Sequence, residues 1–427
     1  MQVRAVADLG PAERRALFER DAGIEAIRGD VEGIVARVRE EGDAALREFA
    51  REFDDCEVGS LDATDETARA AETVDDELGA AIETAAANVR AFHERQLPED
   101  WRADFGGREL GRRFRPIERA GLYVPGGTAA YPSSAIMTIV PAVVAGVEHV
   151  VVATPPAEQV SPATLAAIHE AGADRVYRAG GAQAIAALAY GTETVPQVDK
   201  IAGPGNRWVT AAKAAVRDDC EIDFLAGPSE VLVLADGTAD PELVAADVVA
   251  QAEHDRASSV ACVTDDGALA DAVVAACERW AANCDRGGIV EAALENEASG
   301  VFRARSASEA VAFCEAYAPE HLSIQADDEE ALLERIDSAG SVFLGPFSPV
   351  AAGDYAAGTN HVLPTGGRAR VAGGLSVETF LRASTVQRLD RDALAALEGT
   401  ITTLAEAEGL AAHAESVRAR FADGSDG

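Results

Sequence analysis

The hydrophobic positions of this chain follow two different periods. Over residues 11–20, 30–53 and 65–96, apolar side chains recur every three or four positions within Ala-rich sequence, which predicts helices. From Gly121 onwards, short β-branched apolar runs alternate with helical segments. Strands that alternate with helices at this spacing are typical of βαβ units, whose strands form a parallel sheet. The pattern therefore predicts an α/β fold that begins with helices.

The alternation of strands and helices occurs twice along the chain. The first occurrence includes predicted strands at 149–153, 174–178 and 230–235, and predicted helices at 133–145, 161–171, 184–190 and 209–216. The second predicts a strand at 258–263, helices at 268–281 and 308–317, and a strand at 341–344. A long loop over 345–365 and a helical segment over 390–420 complete the prediction.

The helix predicted over Pro241–His254 carries polar residues on its apolar face. Asp240 precedes the helix as a suitable N-cap. Steps of three and four residues from Val244 lead to Gln251 and His254, which therefore continue the stripe that faces the core. An amide oxygen and an imidazole nitrogen can meet at one point from these positions. The alternative is a helix end that simply turns into solvent.

Further candidate side chains for catalysis or metal binding lie nearer the C-terminus. Glu320 and His321 enter a predicted strand, where we expect them to point to opposite sides, and they are common materials of general base catalysis. The loop 345–365 contains Asp354 and His361. Imidazole, carboxylate and amide oxygen together suit Zn²⁺ or a similar divalent ion. A surface acid–imidazole pair without catalytic function is the alternative for Glu320 and His321.

Cofactor contacts are expected at the carboxyl ends of the parallel strands. The loops at Tyr123 and Gln183 occupy such positions, and Asn206 follows a Gly-Pro-Gly turn that allows close approach of a ligand. The dinucleotide motif G-x-G-x-x-G is absent, so that motif does not support a nucleotide. His93, beside Glu94 and Arg95, is predicted to be an ordinary surface histidine, and Ser229 lies at a strand edge.

Charge and composition exclude several classes of partner. The 427 residues include 73 Asp and Glu against 37 Lys and Arg, a net charge of -36. Such a surface repels nucleic acid and anionic membranes, and it favours solubility in high salt, with poor stability expected at low salt. Six scattered cysteines without a C-x-x-C pair favour reduced thiols in a cytoplasmic protein. We find neither a signal peptide nor a membrane-spanning run in the sequence.

Eight motifs in order along the chain carry a resemblance to a known family. They are Leu122–Gly127, Gly180–Ala186, Ala202–Asn206, Ala226–Glu230, Ala250–Asp255, Ala318–Ser323, Gly353–His361 and Glu408–His413. Together they resemble the histidinol dehydrogenase family over about residues 20–420. The resemblance implies two incomplete Rossmann-like parallel-sheet domains with helical N-terminal and C-terminal extensions.

The resemblance also implies a division of the chain and an assembly. Residues 1–20 would form an N-terminal arm, and 21–121 with 231–376 a discontinuous α/β domain that carries most metal and catalytic residues. Residues 122–230 would form the α/β domain that contacts NAD, and 377–427 a helical tail that reaches the partner subunit. The implied assembly is a cytoplasmic homodimer with active sites shared between subunits.

The family's activity is the zinc- and NAD-dependent four-electron oxidation of L-histidinol to L-histidine through L-histidinal. The resemblance implies that Glu320 and His321 are catalytic, and that one zinc ion per subunit is bound by Gln251, His254 and Asp354 together with His413 of the partner subunit. It implies NAD contacts from Tyr123, Gln183 and Asn206. Substrate contacts would be Ser229, His361 and Glu408, with His321 and the zinc ligands Gln251, His254, Asp354 and His413.

The helical wheel alone does not bring the two tail residues together, because Glu408 and His413 are about 140° apart on it. A tail that reaches a partner subunit removes this difficulty. Two other activities remain alternatives: a zinc hydrolase with Glu320 as its base, and a related dehydrogenase for another amino alcohol or sulfonate. A non-catalytic homologue is the third alternative.

Overall fold

The computed structural model describes residues 1–20, 23–126, 130–157 and 160–422, and it confirms the α/β class. Gly127 of the first motif and residues 423–427 of the tail lie outside the described residues. The strands are β1 (Val3–Ala5), β2 (Trp101–Asp104), β3 (Arg108–Pro116), β4 (Arg119–Tyr123), β5 (His149–Thr154), β6 (Arg175–Arg178), β7 (Lys200–Ala202), β8 (Glu221–Ile222), β9 (Glu230–Ala235), β10 (Ser259–Thr264), β11 (Gly300–Arg303), β12 (His321–Gln325), β13 (Ser341–Leu344) and β14 (Leu381–Leu389).

The helices cover the sheets and fill the connections between strands. They are α1 (Pro11–Phe18), α2 (Arg28–Glu41), α3 (Asp43–Phe53), α4 (Thr64–Ala71), α5 (Asp76–Glu94), α6 (Pro132–Ala145), α7 (Pro162–Ala171), α8 (Gly181–Tyr190), α9 (Arg207–Val216), α10 (Pro241–Ala252), α11 (Gly267–Ala281), α12 (Gly287–Leu294), α13 (Ala307–Tyr317), α14 (Glu329–Leu333), α15 (Val350–Tyr355), α16 (Arg391–Ala407) and α17 (Ala411–Arg418). None of the helices in the described ranges is both long and apolar enough to cross a bilayer.

Two parallel sheets form the centre of the larger of two compact units, which comprises Met1–Gln96 and Ile117–Phe380. The five-stranded sheet has the order β6-β5-β4-β7-β8, and the six-stranded sheet has the order β1-β11-β10-β9-β12-β13. Every residue of β9 and β10 is buried, because helices pack on both faces of the six-stranded sheet. Strands buried on both faces have continuous apolar sequences, which explains why these strands are predictable.

The smaller unit comprises Leu97–Pro116 and Leu381–Gly427 and contains a three-stranded antiparallel sheet of order β14-β3-β2. The prediction of a helical tail over 377–427 is correct for α16 and α17 and wrong for 381–389, which form β14. The residues of β2 and β14 are exposed or only partly buried, so neither sequence shows the apolar alternation by which strands are recognised.

Other differences have local causes. The helix predicted over 30–53 is two helices, because Gly42 adopts a positive φ of 57° between α2 and α3, a conformation that glycine tolerates and helices cannot continue. The segment predicted as helix over 65–96 is interrupted before Asp75, whose side chain caps α5 by accepting from the N–H of Leu78. The predicted loop 345–365 contains the short helix α15.

Candidate active site

Glu320 and His321 lie together at the amino edge of the six-stranded sheet. His321 begins β12 and pairs with Val231 of β9 and Ser341 of β13. Glu320 Oε2 lies 3.5 Å from His321 Nδ1. The expectation that the two side chains point to opposite sides is therefore wrong. Glu320 precedes the strand, so the alternation of side chains along a strand does not apply to it.

Glu230, the first residue of β9, holds Glu320 from the neighbouring strand. The backbone N–H of Glu230 donates to Glu320 Oε2 at 2.8 Å, and the backbone N–H of Glu320 donates to Glu230 Oε2 at 3.4 Å. Arg20 binds the same carboxylate through Nε at 2.7 Å and Nη2 at 2.8 Å, and the N–H of Gly366 donates to it at 2.7 Å. A bidentate arginine–carboxylate pair is strong and geometrically specific. Glu320 is thus held by a network that begins in the N-terminal segment.

His321 is buried with one ring nitrogen bonded and the other free. Nδ1 lies 3.0 Å from the backbone oxygen of Glu230, which can only accept, so Nδ1 carries a proton. Among the described residues Nε2 has no hydrogen-bond partner, and it lies 3.5 Å from Asp354 Oδ1. Burial alone would lower the pKa of His321, but the carboxylates of Glu320 and Asp354 outweigh it and raise that pKa well above its usual value. A buried nitrogen without a partner is expected where a ligand completes the structure.

Asp354, in α15, lies among three imidazoles. Its backbone oxygen is 2.9 Å from His361 Nδ1, and its Oδ1 is 4.0 Å from the same nitrogen. Burial would raise the pKa of Asp354, but His321, His361 and His254 outweigh burial and lower it. Burial lowers the pKa of His361. Asp354 is therefore a carboxylate in the ionised form that metal ligands adopt.

Gln251 and His254 lie at the end of α10. Both were predicted to face the core, and this is confirmed for Gln251 only. Gln251 is buried, whereas His254 follows the helix end and is exposed. Protein atoms around the His254 ring remove water and lower its pKa, although Asp354 opposes this shift. Much of the surface of the His254 side chain is still accessible, so His254 lies at the edge of the site, where a ligand can reach it. Gln251 is the inner and His254 the outer of the two donors.

The donor set fits an incomplete zinc site. Within the described ranges, no three His, Cys, Asp or Glu side chains are grouped so that they could hold a metal ion. The implied ligands from one chain include only two such side chains, His254 and Asp354, besides the amide of Gln251. Amide oxygen, imidazole and carboxylate are donors that zinc accepts, and four-coordinate zinc then requires a ligand from elsewhere.

Tyr123 and Gln183 lie close together at the carboxyl edge of the five-stranded sheet, and the loop before Asn206 adjoins them. The Tyr123 hydroxyl accepts from the backbone N–H of Gly181 at 3.1 Å, in the first turn of the helix that carries Gln183. Burial raises the pKa of Tyr123 to about 12. Gly203 has a φ of 115°, and a Cβ there would lie 2.3 Å from the backbone oxygen of Tyr123, so only glycine allows this approach.

The side chain of Asn206, an expected NAD contact, already forms hydrogen bonds within the protein. Its Oδ1 accepts from the N–H of Trp208 at 2.9 Å and from that of Val209 at 3.3 Å, and so caps α9. Only the amide nitrogen of Asn206 therefore remains for a ligand. Asn206 thus presents a donor, and a capped helix start lies beside it, where anions are favoured.

Comparison with known proteins identifies the family. The family model described as histidinol dehydrogenase matches residues 18–421. The chain belongs to the histidinol dehydrogenase family. The histidinol dehydrogenase of Haloarcula marismortui is 70% identical over 99% of this chain and 100% of its own length. That of Methanosarcina barkeri is 47% identical over 99% of this chain and 98% of its own length.

The fold agrees with a solved member of the family. The crystal structure of histidinol dehydrogenase from Elizabethkingia anophelis is 38% identical and superposes with a TM-score of 0.93, covering 99% of this chain and 98% of that chain. The expected fold class and the resemblance are both confirmed. The chain is accordingly an oxidoreductase of histidine biosynthesis that acts on a small molecule.

The remaining residues implied by the family are placed as follows. Ser229 is partly buried beside Glu230, and its backbone oxygen accepts from the N–H of Ser259 at 2.9 Å. Glu408 caps the end of α16, and His413 lies in α17; both side chains are exposed in the smaller unit. The roles of these residues in the histidinol dehydrogenase reaction remain predictions.

Several contacts near the site were not predictable from the sequence. His93 is fully buried, which corrects its prediction as a surface histidine: its Nδ1 lies 2.7 Å from the backbone oxygen of Val89, and its Nε2 lies 3.4 Å from Asn360 Nδ2. Asn360 precedes His361, whose Nε2 lies 3.4 Å from Ser134 Oγ. The charged residues Glu94 and Arg95, which follow His93 in the sequence, gave the wrong indication. Glu230 alone had a usable signal, since it is a charged residue at the start of a wholly apolar run.

Proposed function

We propose that this chain catalyses the zinc- and NAD-dependent four-electron oxidation of L-histidinol to L-histidine through L-histidinal. In atoms and electrons, the primary alcohol, two NAD⁺ and one water give the carboxylate, two NADH and three protons. The proposal rests on the buried Nε2 of His321, which has no hydrogen-bond partner in the described part of the chain and lies beside Glu320 and Asp354. A dehydrogenase of an alcohol needs a group in this position to take the hydroxyl proton as hydride leaves the carbon.

His321 is the proposed base for the alcohol proton. Because Nδ1 donates to the backbone oxygen of Glu230, the ring presents Nε2 to the substrate. Nε2 accepts a proton only in the neutral form of the ring, and a zinc ion bound to Asp354 would favour that form by neutralising one of the carboxylates that raise the pKa of His321. Neither β9 nor β12 can shift without changing this contact, since the two strands are paired in parallel register. The ring is thereby oriented before substrate binds, which lowers the cost of reaching the reactive geometry.

Glu320 is the proposed partner of His321 in the second oxidation. That step requires water to add to the bound aldehyde, and Glu320 or His321 would accept the proton of the water. Burial raises the pKa of Glu320, although His321 opposes this shift. A carboxyl group with a raised pKa is better matched to proton transfer near neutral pH than an ordinary glutamate is. Burial of the pair also protects the aldehyde from side reactions.

The proposed zinc ligands are Gln251, His254 and Asp354, with His413 of the partner subunit. When bound, zinc would supply a fixed positive charge that binds the amine and imidazole nitrogens of the substrate and so positions it. Ser229, His361 and Glu408 are the further proposed substrate contacts, beside His321 and the metal ligands. The exposure of Glu408 and His413 supports a homodimer in which each tail contributes to the partner's site.

NAD is proposed to bind through Tyr123, Gln183 and Asn206 at the carboxyl edge of the five-stranded sheet, in the domain comprising residues 122–230. This edge is where open parallel sheets bind cofactors. Cys220, Cys262, Cys277, Cys284 and Cys314 are free thiols, which supports the proposed cytoplasmic location.

The test is NADH formation from L-histidinol and NAD in high salt. We expect about two NADH per histidinol, loss of activity with a chelator, and recovery with zinc. The Lys200→Arg variant, whose side chain donates to the backbone oxygen of Thr379 and has no role in the proposed reaction, is a control that should behave as wild type. A folded dimer that forms no NADH from histidinol but does so from another amino alcohol would favour the related-substrate alternative. Hydrolytic activity without NAD would favour the zinc hydrolase.

A further inference from the structure

One face of β12 is polar where the surrounding layer is apolar. His321, Ser323 and Gln325 alternate along the strand on this face, and all three are buried. The side chains packed around them, including Val231, Val233, Val248 and Val350, belong to an apolar cluster. A row of buried polar groups in such a layer requires hydrogen-bond partners.

Asp247 of α10 is the partner that this polar face meets. Its side chain is 7% exposed, and its Oδ2 accepts from Gln325 Nε2 at 3.2 Å. The hydroxyl of Ser323 and the backbone N–H of Val350 also lie near the carboxylate and act to lower its pKa. Val350 begins α15, and an N–H in the first turn of a helix has no acceptor within the helix. One buried carboxylate therefore connects α10, β12 and α15.

Asp247 and the residues that contact it each lie one helical turn, or two strand positions, from a residue of the proposed site. Asp247 and Gln251 are one helical turn apart on the same face of α10. Val350 and Asp354 are likewise one turn apart in α15. Ser323 is two residues from His321 on the same face of β12. The three elements that carry the inner metal ligands and the proposed base thus converge on a single side chain.

Packing alone does not account for this carboxylate. Burial raises the pKa of Asp247 to about 6, although hydrogen bonds from Val350, Ser323 and Gln325 oppose the shift. Near neutral pH the ionised side chain therefore costs folding free energy, and an apolar residue of similar size would avoid that cost. The presence of this unfavourable carboxylate between α10, β12 and α15 is better explained if Asp247 positions these three elements.

We infer that Asp247 is a positioning residue that sets α10, α15 and β12 in register, so that Gln251, Asp354 and His321 meet around the substrate. The inference rests on the proposed zinc site. Its mechanism is indirect, because Asp247 touches none of these three side chains. Residues that orient metal ligands in this way typically contribute 10- to 100-fold, as an order of magnitude, to metal affinity or activity.

The test compares Asp247→Asn with the matched control Asp43→Asn. Asp43 is also 7% exposed and accepts from Thr192 Oγ1 at 2.7 Å and Thr194 Oγ1 at 2.6 Å, but it connects α3 to the segment after α8. We would measure the zinc dissociation constant of the full-length dimer by competition with a chromophoric chelator, and the thermal midpoint of the same samples. We expect Asp43→Asn to melt earlier, because hydrogen bonds stabilise its ionised carboxylate, and Asp247→Asn to melt no earlier than the wild type near neutral pH, because it removes a charge that burial disfavours. Only Asp247→Asn should weaken zinc binding, by about 10- to 100-fold.

The outcomes separate this inference from the proposed function. If the wild type does not bind zinc, the zinc site of the proposed function is wrong and the inference fails with it. If the wild type binds zinc and Asp247→Asn binds it equally well, the positioning role is wrong and the zinc site stands. Should Asp247→Asn not fold, Gln325→Met, which removes one donor to Asp247 and keeps the side-chain volume, provides the same measurement with a smaller expected effect.

Discussion

Replacing Arg20 by Met would leave the carboxylate of Glu230 buried without its cation. The side chains of Arg20 and Glu230 are only 7% and 3% exposed, and the two bonds between them are 2.7 and 2.8 Å long. In the variant, Glu230 would keep as donors two backbone N–H groups, that of Gly366 at 2.7 Å and that of Glu320 at 3.4 Å, and no cation. Removing one partner of a buried ion pair typically costs about 3–5 kcal/mol, because the remaining charge is uncompensated. We expect a loss of that size in the free energy of unfolding.

The measurement is urea unfolding of the wild type, Arg20→Met and the double variant Arg20→Met/Glu230→Gln. The double variant should recover at least half of the loss, since the uncompensated charge is gone and the glutamine can still accept from Gly366. Arg305→Met is the matched control: Arg305 also binds a carboxylate, Glu309, at two points, but its side chain is 77% exposed. That variant should lose little or none of its free energy of unfolding, because an exposed ion pair is screened by water. A loss in Arg20→Met as small as this, or a double variant no more stable than the single one, would refute the reasoning.

Three further predictions concern catalysis, cofactor binding and pH. His321→Asn and Glu320→Gln should each lower kcat by roughly 10²- to 10⁴-fold, because proton transfer is lost. The zinc dissociation constant should change much less, because the implied ligands remain. Equal losses in kcat and in zinc affinity would argue against a proton-transfer role. Tyr123→Phe removes the acceptor of the Gly181 N–H and should raise the KM for NAD about fivefold, corresponding to roughly 1 kcal/mol, with kcat nearly unchanged in steady-state kinetics. Burial raises the pKa of Asp54 to about 6, so its contribution to stability is fully present below about pH 4 and is lost as the pH rises through 6. The full pKa shift corresponds to about 3 kcal/mol, which we reduce to about 1–2 kcal/mol because the side chain is partly exposed. In urea unfolding, the free energy of unfolding of Asp54→Asn should exceed that of the wild type by this amount at pH 7 and should equal it at pH 4.

The sequence by itself determined the buried parallel strands and their helices. β9 was predicted to the residue, because a strand covered on both faces must be apolar throughout and is bounded by turn residues. The predicted cap of α10 is also present, with Asp240 accepting from the N–H of Glu242. The fold class and family followed from these elements and from motifs that the chain carries in order. The candidate residues Glu320, His321, Asp354 and His361 lie together, as their chemistry suggested.

Only the tertiary structure decided how these residues are held. The contact of Arg20 with Glu230 spans 210 positions, and nothing local in the sequence distinguishes Arg20 from the other arginines of an exposed segment. His93 was misjudged for the same reason, since its burial depends on Asn360 and not on its charged neighbours. The antiparallel strand β14 has mostly exposed residues, so its pairing with β3 leaves no apolar pattern. Local periodicity records which face of an element is buried; it does not record which distant side chain a buried polar group will meet.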